Sequence, residues 1–219
     1  MLRVAESHSN PYPWDLGPLP RFSLYGGGRV IVAEQGKAAV RSAREFKLSA
    51  EQYRELVERA YAAGLWQSAS HEYTDQTDSS VLLVTLRTEE GTSTTRVVAP
   101  EVDRGGARER VLDFVAGLPA TPGTAGGYRP SALAVLATGG VDDGGKAPRP
   151  WPMHPLNTGT RTREGQCVVV TGAELDRALD LGKDLVAKDS RWSSDAKTFA
   201  VSFRPLLPDE RHCADLAQP

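Results

Sequence analysis

Along some stretches of this chain apolar and polar residues alternate, and along others apolar residues recur every three or four positions. Arg21-Phe22-Ser23-Leu24-Tyr25 alternates, as a strand with one buried face does. Gly26-Gly27-Gly28 can supply the positive φ of a tight turn, and Arg29-Val30-Ile31-Val32 returns, so this segment predicts a hairpin. Val81 to Leu86 is a further strand, Glu89-Glu90-Gly91 turns it, and Thr94 to Val98 comes back as its partner. In the second half the expected strands are Leu133 to Ala137, Cys167 to Val170 and Thr198 to Phe203, the last with Phe199, Val201 and Phe203 on one face.

Three segments follow the helical period. At about 49–63, Ser49 and Gln52 form a capping box, Leu48 and Tyr53 a hydrophobic staple, and Gly64 a C-terminal stop. Tyr53, Leu56, Val57, Ala60 and Tyr61 make its apolar face, which is expected to pack across the sheet. A second helix at about 106–117 carries Val111, Leu112, Val115 and Leu118 inward and ends at Pro119. A third, at about 173–188, follows a capping box of Thr171 and Glu174 and turns Leu175, Ala178, Leu179, Gly182, Leu185 and Val186 inward. Gly182 either weakens that helix by about 1 kcal/mol relative to Ala or permits close packing.

Strands that pair locally, with helices between them, predict an α+β fold of mostly antiparallel sheets, each covered by capped helices, in two packed subdomains. Residues 119–127, Pro-Ala-Thr-Pro-Gly-Thr-Ala-Gly-Gly, read as a linker. The expected division is a domain over 1–119, a linker over 120–127 and a domain over 128–219. The stretch 138–165 has little periodicity, and a loop that long inside a compact domain is usually functional or mobile.

Composition narrows the function classes. The 219 residues carry a formal charge of −2, which argues against nucleic acid as a partner. No stretch approaches the roughly 20 apolar residues of a membrane span. The 21 Gly and 15 Pro exceed ordinary usage without reaching low complexity, which points to ordered loops.

Candidate chemistry is sparse. His8, His71, His154 and His212 show no metal spacing, and His71-Glu72 with Asp75 and Asp78 lacks the glycine of a calcium loop. There is no G-x-S-x-G elbow, and Gly26–Gly28 precedes a strand instead of the helix a phosphate loop needs. No catalytic residue, metal ligand or cofactor is expected. Trp14 and Trp151 sit among prolines, where Trp either anchors a loop or forms an interface hot spot. With Arg149, Arg161 and Arg163 they are the candidate interface residues. Cys167 and Cys213 admit two readings: buried free thiols in a cytosolic protein, or one disulfide in an exported protein, clasping the C-terminal exit to a strand.

Two segments carry a resemblance. Leu19-Pro20-Arg21-Phe22-Ser23-Leu24-Tyr25-Gly26-Gly27-Gly28-Arg29-Val30-Ile31-Val32, and Arg204-Pro205-Leu206-Leu207-Pro208-Asp209-Glu210 with Cys213 after it, resemble the opening and the C-terminal signature of a family of uncharacterised secreted or lipid-anchored actinobacterial proteins. The Leu48-to-Leu65 helix and Trp151-Pro152 fit as well. The resemblance implies an extracytoplasmic location, a lipid anchor in a native precursor and the Cys167–Cys213 disulfide, but no activity. Residues 1–6 read without a signal peptide, so this location takes Met1 as a start joined to a mature segment. More distantly, Leu2-Arg3-Val4 with the first half's helix and strands is similar to emfourin-type inhibitors of thermolysin-like metalloproteases. Ser7-His8-Ser9-Asn10-Pro11 stands where those proteins have a Gly-Gly-Phe segment.

The expectation is therefore a non-enzymatic, exported binding protein acting on another protein or a cell-envelope component through loops 7–18 and 138–165. The alternatives are an emfourin-like protease inhibitor, a cytoplasmic immunity-type protein and an unrecognised hydrolase.

Overall fold

The computed structural model describes residues 1–8, 19–36, 38–73, 79–102, 105–139, 147–162, 165–183, 185 and 190–216. The chain is α+β and forms two units. One contains Pro20–Glu34, Ala43–Tyr128 and the first strand; the other contains Gln35–Ser42 and the chain from Arg129 on.

The first unit is built on an eight-stranded sheet. Its strands are β1 (Leu2–His8), β2 (Phe22–Leu24), β3 (Arg29–Ala33), β4 (Ala43–Lys47), β5 (Ala69–His71), β6 (Ser80–Arg87), β7 (Thr92–Val98) and β8 (Gly126–Gly127), in the order β5-β7-β6-β1-β2-β3-β4-β8. All neighbours are antiparallel except β5 and β7. The glycine hairpin forms as its sequence requires: β2 pairs with β3, and Gly27 and Gly28 between them adopt φ of +70° and +82°. A side chain on Gly28 would also press to 2.8 Å from the Leu48 carbonyl oxygen.

Helices α1 (Ala50–Ala62) and α2 (Gly106–Ala116) lie between strands of this unit in the chain. The capping box of α1 is complete: Gln52 N–H donates to Ser49 Oγ at 3.1 Å, and Ser49 N–H donates to Gln52 Oε1 at 2.9 Å. At the other end Gly64 adopts φ of +84°, Gly64 N–H donates to Tyr61 O and Leu65 N–H to Ala60 O, which is a Schellman stop. Leu56 and Ala60 enter one core with Val4, Leu24, Leu82 and Val84 of the sheet and Val111 and Phe114 of α2, whereas Tyr61 stays 42% exposed. Arg108 of α2 is buried and donates to the Val98, Ala99 and Val102 carbonyls, which pins the turn after β7.

The segment read as a linker does not end free of the first unit. Arg44 donates to the Ala125 carbonyl, Gly126–Gly127 pairs with β4, and Tyr128 N–H donates to Ala43 O at 2.8 Å.

The second unit holds a six-stranded sheet of β9 (Ala132–Gly139), β10 (Arg149–Pro150), β11 (Thr160–Arg161), β12 (Gln166–Thr171), β13 (Arg191–Ser194) and β14 (Lys197–Pro205). Their order is β10-β13-β14-β9-β12-β11. One face carries Leu133, Val135, Val170, Val201 and Phe203, which share a core with Leu175 and Ala178 of α3 (Gly172–Lys183) and with Leu156. The other face carries Ala134, Leu136 and Cys167, packed with Leu206, Cys213 and Leu216 of the C-terminal segment. The described part of the third helix runs to Lys183; residues 184 and 186–188 of the predicted span, Val186 among them, lie outside the described residues. Gly182 serves close packing: a Cβ there would meet Val40 Cγ2 and come within 3.4 Å of Phe203.

Candidate functional site

The loop that leaves β10 runs toward β11, at the opposite edge of the six-stranded sheet. Trp151 starts it, with its N–H on the Ser193 carbonyl at 2.9 Å. The indole packs edge-on against Trp192, centroids 5.1 Å apart, and stacks on Phe203 at 6.2 Å. Its Nε1 donates to the His154 carbonyl at 2.9 Å. Farther on, Leu156 is buried in the core and its N–H donates to Ser194 Oγ at 3.1 Å. The aperiodic stretch is held down at these two points, and residues 156–158 form a 3-10 turn.

Between this loop, β12, the start of α3 and the C-terminal segment lies a cleft of about 430 Å³. That is within the usual range of ligand clefts, about 300–1,000 Å³. Val135, Trp151, Met153, Leu156, Val168 and Val170 form its apolar wall, and the disulfide and His212 lie on the other side of β12. Cys167 and Cys213 are bonded, with Cα atoms 6.1 Å apart, and both are buried. The bond fixes the C-terminal segment to β12, beside the short edge strand β11, and so sets the position of His212.

The polar groups of the cleft are His154, Glu174 and His212, with Thr158 and Thr160. His154 Nδ1 lies 2.6 Å from Glu174 Oε1. Glu174, read from the sequence as half of a capping box, therefore directs its carboxylate to the loop. Near His212 the Asp215 carboxylate accepts from the Arg211 and His212 amides at 2.7 and 2.8 Å, and these bonds hold its pKa below the ordinary Asp value.

The C-terminal signature has a structural reading. Arg204 and Glu210 form a buried bidentate pair, with Nη1 to Oε2 at 2.7 Å and Nη2 to Oε1 at 3.0 Å. Leu207 N–H also donates to Glu210 Oε2 at 2.8 Å. Charge and backbone bonds together fold Leu207–Glu210 into one turn just after β14, which delivers Cys213 to Cys167.

The predicted interface residues do not form one cluster. Trp151 lines the cleft while packing inward. Arg149 stands on β10 and Arg161 on β11, opposite edges of the sheet and roughly 24 Å apart at the usual strand spacing. Arg161 lines a second cavity of about 380 Å³ with Lys197 and Gln166. Trp14 and Arg163 lie outside the described residues, as do most of 7–18 and residues 140–146 of the long loop. So do Asp75 and Asp78; Glu72 bonds Ser70 Oγ and Arg96, which lower its pKa. Among the described residues no group of three or more His, Cys, Asp or Glu could hold a metal ion.

The sequence reading missed Met153, His154, Glu174 and His212 as a group. They come from three separate places in the chain, and only the disulfide and the loop anchors bring them together. Compared with protein-family models, curated proteins and solved structures, the chain finds no match.

Proposed function

We propose that this is a non-enzymatic, exported binding protein that takes its partner, another protein or a cell-envelope component, in the cleft of the second unit. The observation that carries this reading is the cleft itself, apolar along one wall and polar along the other, with its loop anchored by Trp151 and Leu156. A site whose walls are held in place loses less entropy on binding. The disulfide supports an oxidising compartment, where such bonds persist. The resemblance to secreted or lipid-anchored actinobacterial proteins points the same way. Two experiments test the reading. Alkylation before and after reduction, on protein from its native source, should give a mass shift only after reduction; two free thiols there would remove export. A photo-crosslinking residue at Met153 should give a defined adduct with a cell-envelope fraction, while one at Glu51 of the first unit should not. Equal labelling from both positions would remove the cleft as the binding site.

One observation favours a second reading, hydrolysis. A histidine bonded through Nδ1 to a carboxylate, as His154 is to Glu174, has the geometry of an oriented base. If the protein is a hydrolase, His154→Ala would abolish turnover of a responsive ester or peptide substrate. If it is a binding protein, a broad substrate panel gives no turnover above buffer.

A further inference from the structure

The hydrogen-bond direction of β12 can be worked out from both sides. Leu206 N–H donates to Ala132 O at 3.0 Å, one step beyond the register pair Pro205–Leu133. Bonded and non-bonded pairs alternate along an antiparallel ladder. Ala132, Ala134 and Leu136 therefore bond toward β14, and Leu133, Val135 and Ala137 toward β12. Their register partners Val170, Val168 and Gln166 are the β12 residues bonded to β9. On the other side Thr162 N–H donates to Gly165 O at 2.7 Å, which makes Thr160–Cys167 the next bonded pair of that hairpin. The N–H and C=O of Val169 and the N–H of Thr171 therefore point toward the outer edge.

On that edge β11 has already ended. Its register stops at Thr160–Cys167, and the chain before it leaves the line of the strand in the 3-10 turn Leu156–Thr158, which lies against β12. Among the described residues the Val169 amide and carbonyl have no strand to pair with. They face the cleft, where Val168, Val169 and Val170 stand among its walls. Unpaired edge groups of this kind are a template for an added strand.

We infer that this edge binds an extended peptide segment of the partner by strand addition, continuing the line that β11 leaves. The inference rests on the binding reading and gives it a substrate class. Pairing with Val169 and Thr171 supplies affinity independent of sequence. Specificity comes from side chains alternating along the segment, so that those on the Val168 and Val170 face meet Trp151 and Met153. Methionine suits such a wall because it adapts to different apolar shapes. Charge selects a neutral segment: of the ionisable groups lining the cleft, Glu174 is already engaged by His154, and His212 is the other. A second copy of the chain is a poor occupant, since it would present the same recessed edge and two recesses cannot interdigitate.

The test uses the full chain and a phage-displayed library of random dodecamers, with an enriched peptide then synthesised. In the free protein the Val169 and Thr171 amides should exchange with solvent at least tenfold faster than those of Val168 and Val170, and the peptide should slow both. Val169→Pro removes an N–H that β9 does not use, a position where a sheet tolerates proline. It should keep the fold and weaken the peptide at least tenfold, whereas Val168→Pro should unfold the unit. Val169 exchange as slow as that of its neighbours in the free protein overturns the inference, whether or not Val169→Pro folds. So does a bound peptide that leaves Val169 exchange unchanged, or a library that enriches nothing. If a Met153 adduct forms in any of these cases, the strand-addition mode fails and the binding reading stands.

Discussion

Removing Glu210 should destabilise the second unit more than removing any exposed charge. In Glu210→Ala the Arg204 guanidinium loses two charge-assisted bonds, at 2.7 and 3.0 Å, and Leu207 N–H loses its acceptor at 2.8 Å. Both side chains are almost wholly withdrawn from water, with 6% and 3% of their surface exposed. Solvent therefore cannot replace the missing carboxylate. Breaking a buried pair by deleting one partner costs about 3–5 kcal/mol, because an uncompensated charge stays inside. Arg204→Met alone leaves the carboxylate stranded and should cost a similar amount.

The double variant Arg204→Met/Glu210→Ala separates this explanation from simple loss of contacts. It removes both charges, and with them Arg204 Nε, a buried donor with no partner among the described residues. Its cost should be well below the sum of the single costs, with a coupling energy of at least about 2 kcal/mol. Urea unfolding followed by the fluorescence of Trp192, in the core of the same unit, reads all three variants. If Glu210→Ala costs under about 1 kcal/mol, or the two changes add, the pair is not holding the turn.

Three further outcomes follow from local geometry. Gly182→Ala should destabilise by about 1–3 kcal/mol despite better helix propensity, because its Cβ meets Val40; Gly182→Ala with Val40→Ala should recover part of this, and a single variant more stable than the parent would refute the packing account. Asp195 and Ala196 join β13 to β14 with φ of +48° and +57°, the two positive angles of a type I′ turn, so exposed Ala196→Gly should raise stability by about 1 kcal/mol in the same urea assay, and a loss would refute it. Asp215 has a lowered folded pKa, so its contribution is present above the unfolded value near 3.9 and is lost as pH falls through the lower folded value. Exchange of the Arg211 and His212 amides should accelerate through that window, and a carboxyl titration midpoint at or above about 3.9 would contradict the bonding.

Elements with a local cause were legible in the sequence. Ser49 with Gln52 and the glycine at position 64 mark both ends of α1 through bonds a few residues apart, so nothing distant has to be known. Apolar runs such as Val81–Leu86 are strands in the centre of a sheet. Leu2–His8, Ala43–Lys47 and Arg191–Ser194 escaped because their strand character comes from neighbours. β1 lies between β2 and β6, Ala43–Lys47 has a single large apolar residue, and the turn after Ser194 contains no glycine. The stretch 119–127 reads as a linker by composition, yet glycine backbones at 126 and 127 pair well enough with β4 to end the first sheet.

The candidate site was less legible for a reason specific to this fold. The conspicuous residues, Arg204-Pro205-Leu206-Leu207-Pro208-Asp209-Glu210 and Trp151, do scaffold work: a buried ion pair, a turn into a disulfide, a loop anchor. The groups argued to bind are inconspicuous, since the amide of Val169 is chemically the same as any other. Its availability depends on β11 stopping at Thr160, and Gly159 shows how tight that approach is: a Cβ there would come within 2.6 Å of the Cys167 carbonyl oxygen. A side chain at Gly159 would push the loop off β12 and move the wall of the cleft. Such a position shapes the proposed site without carrying any chemistry of its own, so residue types alone do not reveal where pairing stops.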